Sequence, residues 1–184
     1  MTKWQIMETE NEQVILVNSA NEVIGQADKY DVHRGQGQLH RAITVLLRNK
    51  NDELLVTQRS SKKPLWPEWW DLACSTHQWP GESSIEAAIR RLPFEIGVTA
   101  QDLSEELTYE YHAVYNDEWS ENEINHLVVG KLDQDPQLNP REAVAYAWKT
   151  LEQITAELAQ PNHQYAPWVG LALERWQESL LLKK

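Results

Sequence analysis

Three histidines and two glutamates in this sequence have side chains suited to binding a divalent metal ion. His33 and His40 lie seven residues apart in HRGQGQLH, and His77 follows further along the chain. Glu121 and Glu123 are two apart in ENEI, so in a strand both carboxylates point to one face. Imidazoles together with carboxylates suit a borderline ion such as Mn²⁺ or Zn²⁺. Taken singly, each residue also fits an ordinary packed histidine or a solvated strand face, so spacing alone leaves the metal site open.

Basic side chains form a second group of candidates. The segment QRSSKK carries Arg59, Lys62 and Lys63, a local concentration of positive charge in a chain whose formal net charge is −11. Such a cluster either keeps a loop soluble or binds an anionic ligand. In the second case it must overcome the negative electrostatic potential of the whole chain. The acidic net charge disfavours nucleic acids and anionic membranes as the main partner.

The segment DLACSTHQWPGES contains the only cysteine of the chain, Cys74. A thiol of lowered pKa is a nucleophile or proton carrier, whereas a buried cysteine is a small apolar core residue. A single cysteine excludes an internal disulfide, which makes the cytoplasm the expected compartment. The N-terminus MTKWQIMETENEQ lacks the apolar core of a signal peptide, and no apolar run approaches the about 20 residues of a membrane span. We therefore expect a cytoplasmic protein that does not insert into membranes.

Paired strands must position these groups. Residues 14–25 read as a strand, a polar turn and a second strand, and residues 42–57 repeat that arrangement more strongly. The alternating segments ELTYEYHAVYN, INHLVVGKL and AVAYAWKT predict three more strands. Helices are predicted at residues 151–158 and at about 168–182. The order of elements predicts an α+β sandwich in a single domain, residues 1–184, with its core at about 14–168.

The clearest helix covers residues 84–96. Ser83 and Glu86 fit a capping box at its start. Four apolar residues at helical spacing predict its buried face, namely Ile85, Ala88, Ile89 and Leu92. Arg91 and Glu95 then fall on the outer face, where an i, i+4 ion pair is ordinary.

Six separated motifs together resemble the type I isopentenyl-diphosphate isomerases, a branch of the Nudix superfamily. They are KYDVHRGQGQLHRA, QRSSKKPLWPEWW, ACSTHQWPGES, RRLPFEIGV, ENEI and YAPWV, in the order and spacing of that family. The resemblance covers most of the chain, from about residue 14 to residue 168. The Nudix signature itself is partial: Glu82, Arg90 and Glu95 match it, whereas Arg91 and Phe94 stand where Nudix hydrolases carry carboxylates.

The resemblance implies a Nudix-type fold with mixed β-sheets sandwiched by helices, and it implies two kinds of metal binding. The family's five metal ligands match His33, His40, His77, Glu121 and Glu123. Glu95 matches a residue that helps to hold a Mg²⁺ bridging the substrate diphosphate. The implied cofactors are therefore Mn²⁺ or Zn²⁺ in the His/Glu site and Mg²⁺ with the diphosphate.

The resemblance also implies a small-molecule prenyl diphosphate as the partner of a monomer or weak dimer. Basic residues of the family that contact the diphosphate match Lys29, Arg59, Lys63 and Arg91. Aromatic residues that line its isoprenoid pocket match Tyr111 and Trp168. These basic side chains, together with Mg²⁺, would locally outweigh the negative charge of the whole chain.

The family's reaction interconverts isopentenyl and dimethylallyl diphosphate through a tertiary carbocation. Protonation on one face of the alkene and deprotonation on the other require two acid/base groups in a dry pocket. Glu123 matches the catalytic glutamate of the family. The position of the family's catalytic cysteine is occupied here by Ser75. If the segment is extended, the side chain of Cys74 points away from the substrate. An alcohol is a much weaker acid than a thiol. The resemblance thus assigns Ser75, Glu123 and Tyr111 to the catalytic group.

Three functions fit these residues. The first is an isomerase acting through Ser75, or through Cys74 after a local bulge. The second is a prenyl-diphosphate-binding or repurposed Nudix protein that has lost the isomerisation step. The third is a Nudix diphosphate hydrolase, for which Arg91 and Phe94 replace carboxylates that would hold Mg²⁺. The breadth of the match favours the isomerase.

Overall fold

The computed structural model describes residues 12–183. Residues 1–11 of the N-terminal segment MTKWQIMETENEQ therefore lie outside the described residues. Nine strands of one mixed sheet and four helices are formed in that range. The strands are β1 Gln13–Val17, β2 Val23–Asp28, β3 His40–Arg48, β4 Leu54–Arg59, β5 Trp70–Asp71, β6 Cys74–His77, β7 Gln101–Val114, β8 Ser120–Lys131 and β9 Ala143–Lys149. The helices are α1 Lys29–Val32, α2 Ser84–Glu95, α3 Leu151–Leu158 and α4 Pro167–Leu182.

Strand β3 is the centre of the sheet. Its segment AITVLL is apolar except for Thr44 and is buried throughout, which is typical of a strand buried on both faces. It pairs parallel with β8 along its whole length and antiparallel with β6. This register sets His40 opposite Glu123 and Ala42 opposite His77. Three of the predicted metal ligands are therefore brought together by strand pairing alone.

Alternation along the central strands divides the core into two layers. Leu46 and Leu127 pack with Val169 and Leu173 of α4 on one face. On the other face, Val45 and Val128 belong to a separate apolar cluster that includes α2, with Ala87, Ala88 and Leu92. Each large side chain buried in this way contributes about 1.5–3 kcal/mol. The result is the predicted α+β arrangement of a mixed sheet between helices. None of the helices formed by residues 12–183 has the length and apolar character needed to cross a membrane.

Helix α2 confirms the predicted capping box but corrects the predicted orientation. The Ser83 side chain accepts a hydrogen bond from the Glu86 backbone, and the Glu86 side chain accepts one from the Ser83 backbone. Ile89, expected in the apolar stripe, is 57% exposed, while Arg91 and Glu95, expected on the outer face, are only 5% and 6% exposed. The helix packs on the sheet through its small residues, and this rotation turns the Arg91 and Glu95 pair inward.

Candidate active site

Strands β3, β6 and β8, with the end of α1, bring the three histidines and two glutamates together. His40 begins β3 and His77 ends β6. Glu121 and Glu123 are two apart in β8, as the strand prediction required, and Glu123 lies opposite His40. His33 follows the last turn of α1. Residues separated by up to 90 positions in the chain thus share one small volume.

The geometry of this cluster suits a single metal ion. All five residues are buried, and each offers a ligand atom within 4.8 Å of the others. The three imidazole ring centroids form a triangle with sides of 4.8, 4.9 and 5.1 Å. An ion with ligand distances of about 2.1 Å separates opposite ligands by about 4.2 Å, so a small inward adjustment lets all five bind it.

Several ligand atoms of the cluster have no hydrogen-bond partner among the described residues. They are Nε2 of His40 and both ring nitrogens of His77, whereas Oε2 of Glu121 lies 2.9 Å from Nε2 of His33. A buried polar atom left unpaired costs about 1–3 kcal/mol, so this many in one place indicates a missing ligand. His33 and His40 each donate Nδ1–H to a backbone carbonyl, which directs Nε2 of each ring toward the cluster.

The protonation states also suit metal binding. Burial and then His77 lower the pKa of His40 to about 4, and burial and then Lys29 lower the pKa of His77 well below its ordinary value. Both imidazoles are therefore neutral at pH 7, the form that binds metals. His33 and Glu121 form an ion pair: burial opposes both charges, but Glu121 raises the pKa of His33, and His33 keeps the Glu121 carboxylate ionised. A metal ion bound here would take the place of the His33 proton. The donor set of three imidazoles and two carboxylates fits a divalent ion.

A cavity of about 640 Å³ opens beside the cluster, a size typical of small-molecule sites. Its apolar wall is formed by Ile43, Leu65, Tyr111, Trp119 and Trp168. Its basic residues are Lys29, Arg59, Lys62, Lys63, Arg91 and Arg141, and its acidic residues are Glu12, Glu121, Glu123 and Glu142. The lining thus carries six Lys and Arg side chains against four Glu, whereas the whole chain is strongly acidic. This local excess of positive charge suits an anionic ligand.

The buried pair Arg91 and Glu95 joins two further charged residues, Lys63 and Glu142, both of which line the cavity. Arg91 donates from Nε to Glu95 Oε1 at 2.9 Å and from Nη2 to Glu142 Oε1 at 3.0 Å. Lys63 pairs with Glu142 and lies 4.0 Å from Glu95. Glu95 does not line the cavity itself and lies outside the five-residue cluster. Sequence reasoning missed Glu142, because nothing in its local spacing distinguishes it from a surface glutamate.

Lys29 and Arg59, the other predicted diphosphate contacts, also have acidic partners. Lys29 Nζ lies 2.8 Å from Glu12 Oε2. Arg59 donates Nη1 to Asp71 Oδ2 at 3.1 Å. It also donates Nε and Nη2 to the backbone carbonyls of Trp66 and Leu65. Arg59 lines the cavity, but its guanidinium group holds the loop after β4 in place through these hydrogen bonds.

Strand β6 turns Ser75 and Cys74 in opposite directions. Ser75 lines the cavity, where its Oγ donates to Asp71 Oδ1 at 3.0 Å and accepts from Trp168 Nε1 at 3.1 Å. Cys74 packs in the apolar cluster that includes α2. Burial, and then the charge of Glu95, raises the pKa of Cys74 well above its ordinary value. Cys74 is therefore a neutral thiol of the core.

Glu123 and Tyr111 lie opposite each other in the β7–β8 pair and both line the cavity. Burial and then Glu121 raise the pKa of Glu123, whereas an ion bound in the cluster would lower it. Burial and then Glu123 raise the pKa of Tyr111 well above its ordinary value, so its phenol stays protonated. The ring centroids of Tyr111 and Trp168 are 6.0 Å apart. A carboxyl group, a hydroxyl group and two aromatic rings thus line one cavity.

Known proteins resemble this chain in both sequence and fold. The NUDIX domain family matches residues 38–169. The isopentenyl-diphosphate Delta-isomerase of Pectobacterium atrosepticum is 32% identical over 169 residues, covering 90% of this chain and 93% of the relative. Isopentenyl-diphosphate Delta-isomerase 1 of Aromatoleum aromaticum is 35% identical over 164 residues, covering 89% and 92%.

Solved structures support the fold independently. A crystal structure from Deinococcus radiodurans superposes with a TM-score of 0.73 at 22% identity, covering 89% of this chain and 98% of that one. The MutT protein of Methanosarcina mazei superposes with a TM-score of 0.61 at 22% identity, covering 77% and 95%. At this identity the likeness concerns the fold alone.

Proposed function

Since this chain belongs to the NUDIX domain family and, within it, to the isopentenyl-diphosphate Delta-isomerases, we propose that its cavity isomerises isopentenyl diphosphate with Ser75 and Glu123 as the proton-transferring groups. The protein is an isomerase that transposes a carbon–carbon double bond. The observation that carries the residue assignment is the shared cavity: Ser75, Glu123 and Tyr111 line it together with Trp168.

The His/Glu cluster supports a divalent ion, and we assign Mn²⁺ or Zn²⁺ to it on its three nitrogen and two carboxylate donors. When bound, such an ion supplies positive charge that fixes the position of Glu123 and tunes its acidity. We also assign Glu95 to a Mg²⁺ that would accompany a diphosphate, since a carboxylate oxygen is a hard donor, although Arg91 now pairs with this carboxylate and would have to turn toward the diphosphate. The family's use of that ion supports the same assignment.

The part of the cavity wall formed by Lys63 and Arg91, here called the basic end, is the proposed diphosphate site. Lys63 and Arg91 are held in position by Glu95 and Glu142 before any ligand binds. Preordered cations form charge-assisted hydrogen bonds to phosphate oxygens without paying for side-chain ordering. Binding energy gained at this end orients the distant alkene between its acid and its base.

At the other end, the proposed chemistry is proton transfer across the alkene. Glu123, in its protonated form, gives a proton to the terminal carbon, and Ser75 receives a proton from the opposite side. The faces of Tyr111 and Trp168 stabilise the tertiary cation without forming a bond to it. The chemistry requires that water, which would capture the cation, is kept away from it, and the apolar side chains of Ile43, Leu65 and Trp168 form the part of the wall suited to this.

A hydrolase is poorly supported by the same residues. Phe94 is buried, and Arg91 stacks over its ring at 4.7 Å, so neither position offers a carboxylate to Mg²⁺. Within the described part of the chain, the five-residue cluster is the one group of three or more His, Cys, Asp or Glu side chains placed to hold a metal ion. The serine at position 75 instead favours one second candidate, a protein that binds a prenyl diphosphate without isomerising it.

Nuclear magnetic resonance separates these functions in one reaction. The protein is incubated with isopentenyl diphosphate, Mn²⁺ and Mg²⁺ in D₂O. Deuterium entry together with dimethylallyl product supports the isomerase, whereas phosphate release alone contradicts it and supports a hydrolase. Binding by calorimetry with neither signal supports the non-isomerising protein.

A further inference from the structure

A buried carboxylate lies directly behind Ser75. Asp71, at the end of β5, is 2% exposed. Its Oδ1 accepts the Ser75 hydroxyl at 3.0 Å and the Trp168 indole N–H at 2.8 Å. The same N–H lies 3.1 Å from Ser75 Oγ, so the three side chains close a ring of hydrogen bonds. Oδ2 of Asp71 accepts a hydrogen bond from Arg59 at 3.1 Å.

The ring fixes the direction of each hydrogen bond. An indole N–H only donates, and an ionised carboxylate only accepts. Because Trp168 occupies one acceptor side of Ser75 Oγ, the hydroxyl proton of Ser75 points to Asp71. Ser75 Oγ also lies 3.4 Å from Thr44 Oγ1, a long and weak contact, so a ligand in the cavity can compete for the remaining lone pair. Ser75 is therefore oriented as an acceptor toward a ligand and as a donor toward Asp71.

We propose that Asp71 is the proton acceptor behind Ser75 and makes the serine competent where the family uses a cysteine. The proposal rests on the isomerase function proposed above. As a substrate C–H bond breaks, its proton moves to Ser75 Oγ and the Ser75 hydroxyl proton moves to Asp71 Oδ1. The electron pair of the C–H bond becomes the new double bond and neutralises the cation. Glu123 has lost one proton, Asp71 has gained one, and the substrate and product are isomers.

This relay removes the difficulty of using an alcohol. A serine acting alone would have to exist as an alkoxide, which is far too basic to form near pH 7. In the relay, the hydroxyl loses its proton as it gains another, so no free alkoxide forms. Asp71 acts only through Ser75 and is a positioning residue. Arg59 supplies the counter-charge and keeps two backbone acceptors when Asp71 becomes neutral.

A purely structural role for Asp71, as the partner of Arg59, predicts a different result from the relay. The test compares wild type, Asp71→Asn, Ser75→Cys and the double variant by kcat, KM and thermal midpoint. In the serine protein we expect Asp71→Asn to lower kcat by about 100-fold or more, with KM within about threefold. In the Ser75→Cys background we expect the same change to cost less than about tenfold, because a thiol does not need the carboxylate.

If Asp71→Asn lowers kcat equally in the serine protein and in the Ser75→Cys background, or lowers it in neither, the relay is wrong. The isomerase function would be unaffected by that result. An inactive wild type with an active Ser75→Cys variant would also overturn the relay. If neither protein converts isopentenyl diphosphate but both bind it by calorimetry, the proposed function itself fails. Should Asp71→Asn unfold, Asp71→Glu keeps a charge for Arg59 while displacing the carboxylate from Ser75, and the same background-dependent loss is expected.

Discussion

Ser75 and Cys74 are neighbours in β6, yet Ser75 lines the cavity beside Trp168 while Cys74 packs in the apolar cluster formed with α2. A thiol placed at position 75 would face the substrate and exchange protons more readily than the hydroxyl. We expect Ser75→Cys to raise kcat for isomerisation at least about tenfold. The matched variant Cys74→Ala is expected to change kcat less than about twofold. Loss of activity in Cys74→Ala, with no gain in Ser75→Cys, would show that the thiol reaches the substrate through a rearranged β6.

The His/Glu cluster should retain a divalent ion through purification. We expect elemental analysis by mass spectrometry to find close to one ion per chain in wild type and a small fraction of that in His77→Asn. Removing the ion with a chelator should lower the thermal midpoint, because an ion that binds only the folded state stabilises it. His112→Asn is the matched control, since His112 is exposed on β7 and outside the cluster. Equal metal content in the two variants would contradict the assignment.

The basic end of the cavity should determine affinity for the diphosphate. Lys63 is held between Glu95 and Glu142, whereas its neighbour Lys62 is exposed. We expect Lys63→Met to raise KM for isopentenyl diphosphate by about 10- to 100-fold, the value of a lost charge-assisted hydrogen bond. Lys62 also lines the cavity, but its ammonium group is exposed and its charge is screened by water, so Lys62→Met is expected to raise KM less than about threefold. Equal effects of the two variants would mean that only the overall field, and no specific contact, attracts the ligand.

Local signals in the sequence were sufficient to predict most of the elements. The Asn49–Asp52 turn between two apolar runs and the capping box at Ser83 are short-range features, and both are present in the structure. The two-residue spacing of Glu121 and Glu123 correctly put both carboxylates on one face of a strand. These predictions succeeded because each depends on neighbours along the chain.

Features that depend on tertiary contacts were not predictable from spacing. Helical periodicity assigns charged residues to the solvent, so Arg91 was expected outside, although Glu142 from a distant loop neutralises it inside. Asp71 was missed as a partner of Ser75 because β5 and β6 are joined by a bend that no sequence pattern specifies. In both cases the compensating group comes from another element of the fold.

Glu142 should make the stability of the protein depend on pH. Burial alone would raise its pKa, but the charges of Lys63 and then Arg91 outweigh burial and hold it at about 2, below the ordinary 4.5. The ionised form therefore stabilises the fold fully above about pH 4.5, and this contribution is lost as the pH falls through about 2. We expect Glu142→Gln to lower the free energy of unfolding at pH 7 by on the order of 2–3 kcal/mol.

Urea unfolding at a series of pH values measures this difference. The gap between wild type and Glu142→Gln should close toward pH 2, and Glu174→Gln, an exposed position on α4, should show almost no gap at any pH. A gap that does not change with pH would assign the loss to packing instead of charge.

Arg59 should act mainly as an anchor of the loop after β4, although the family resemblance makes it a diphosphate contact. Its guanidinium donates to the carbonyls of Leu65 and Trp66 and to Asp71, an arrangement that a lysine ammonium does not reproduce. We expect Arg59→Lys to lower the free energy of unfolding in urea by about 2–4 kcal/mol. The exposed Arg175→Lys serves as the control and should lie within about 0.5 kcal/mol of wild type. If Arg59→Lys instead keeps its stability and raises KM more than about tenfold, the guanidinium binds the diphosphate and the loop is held by its other contacts.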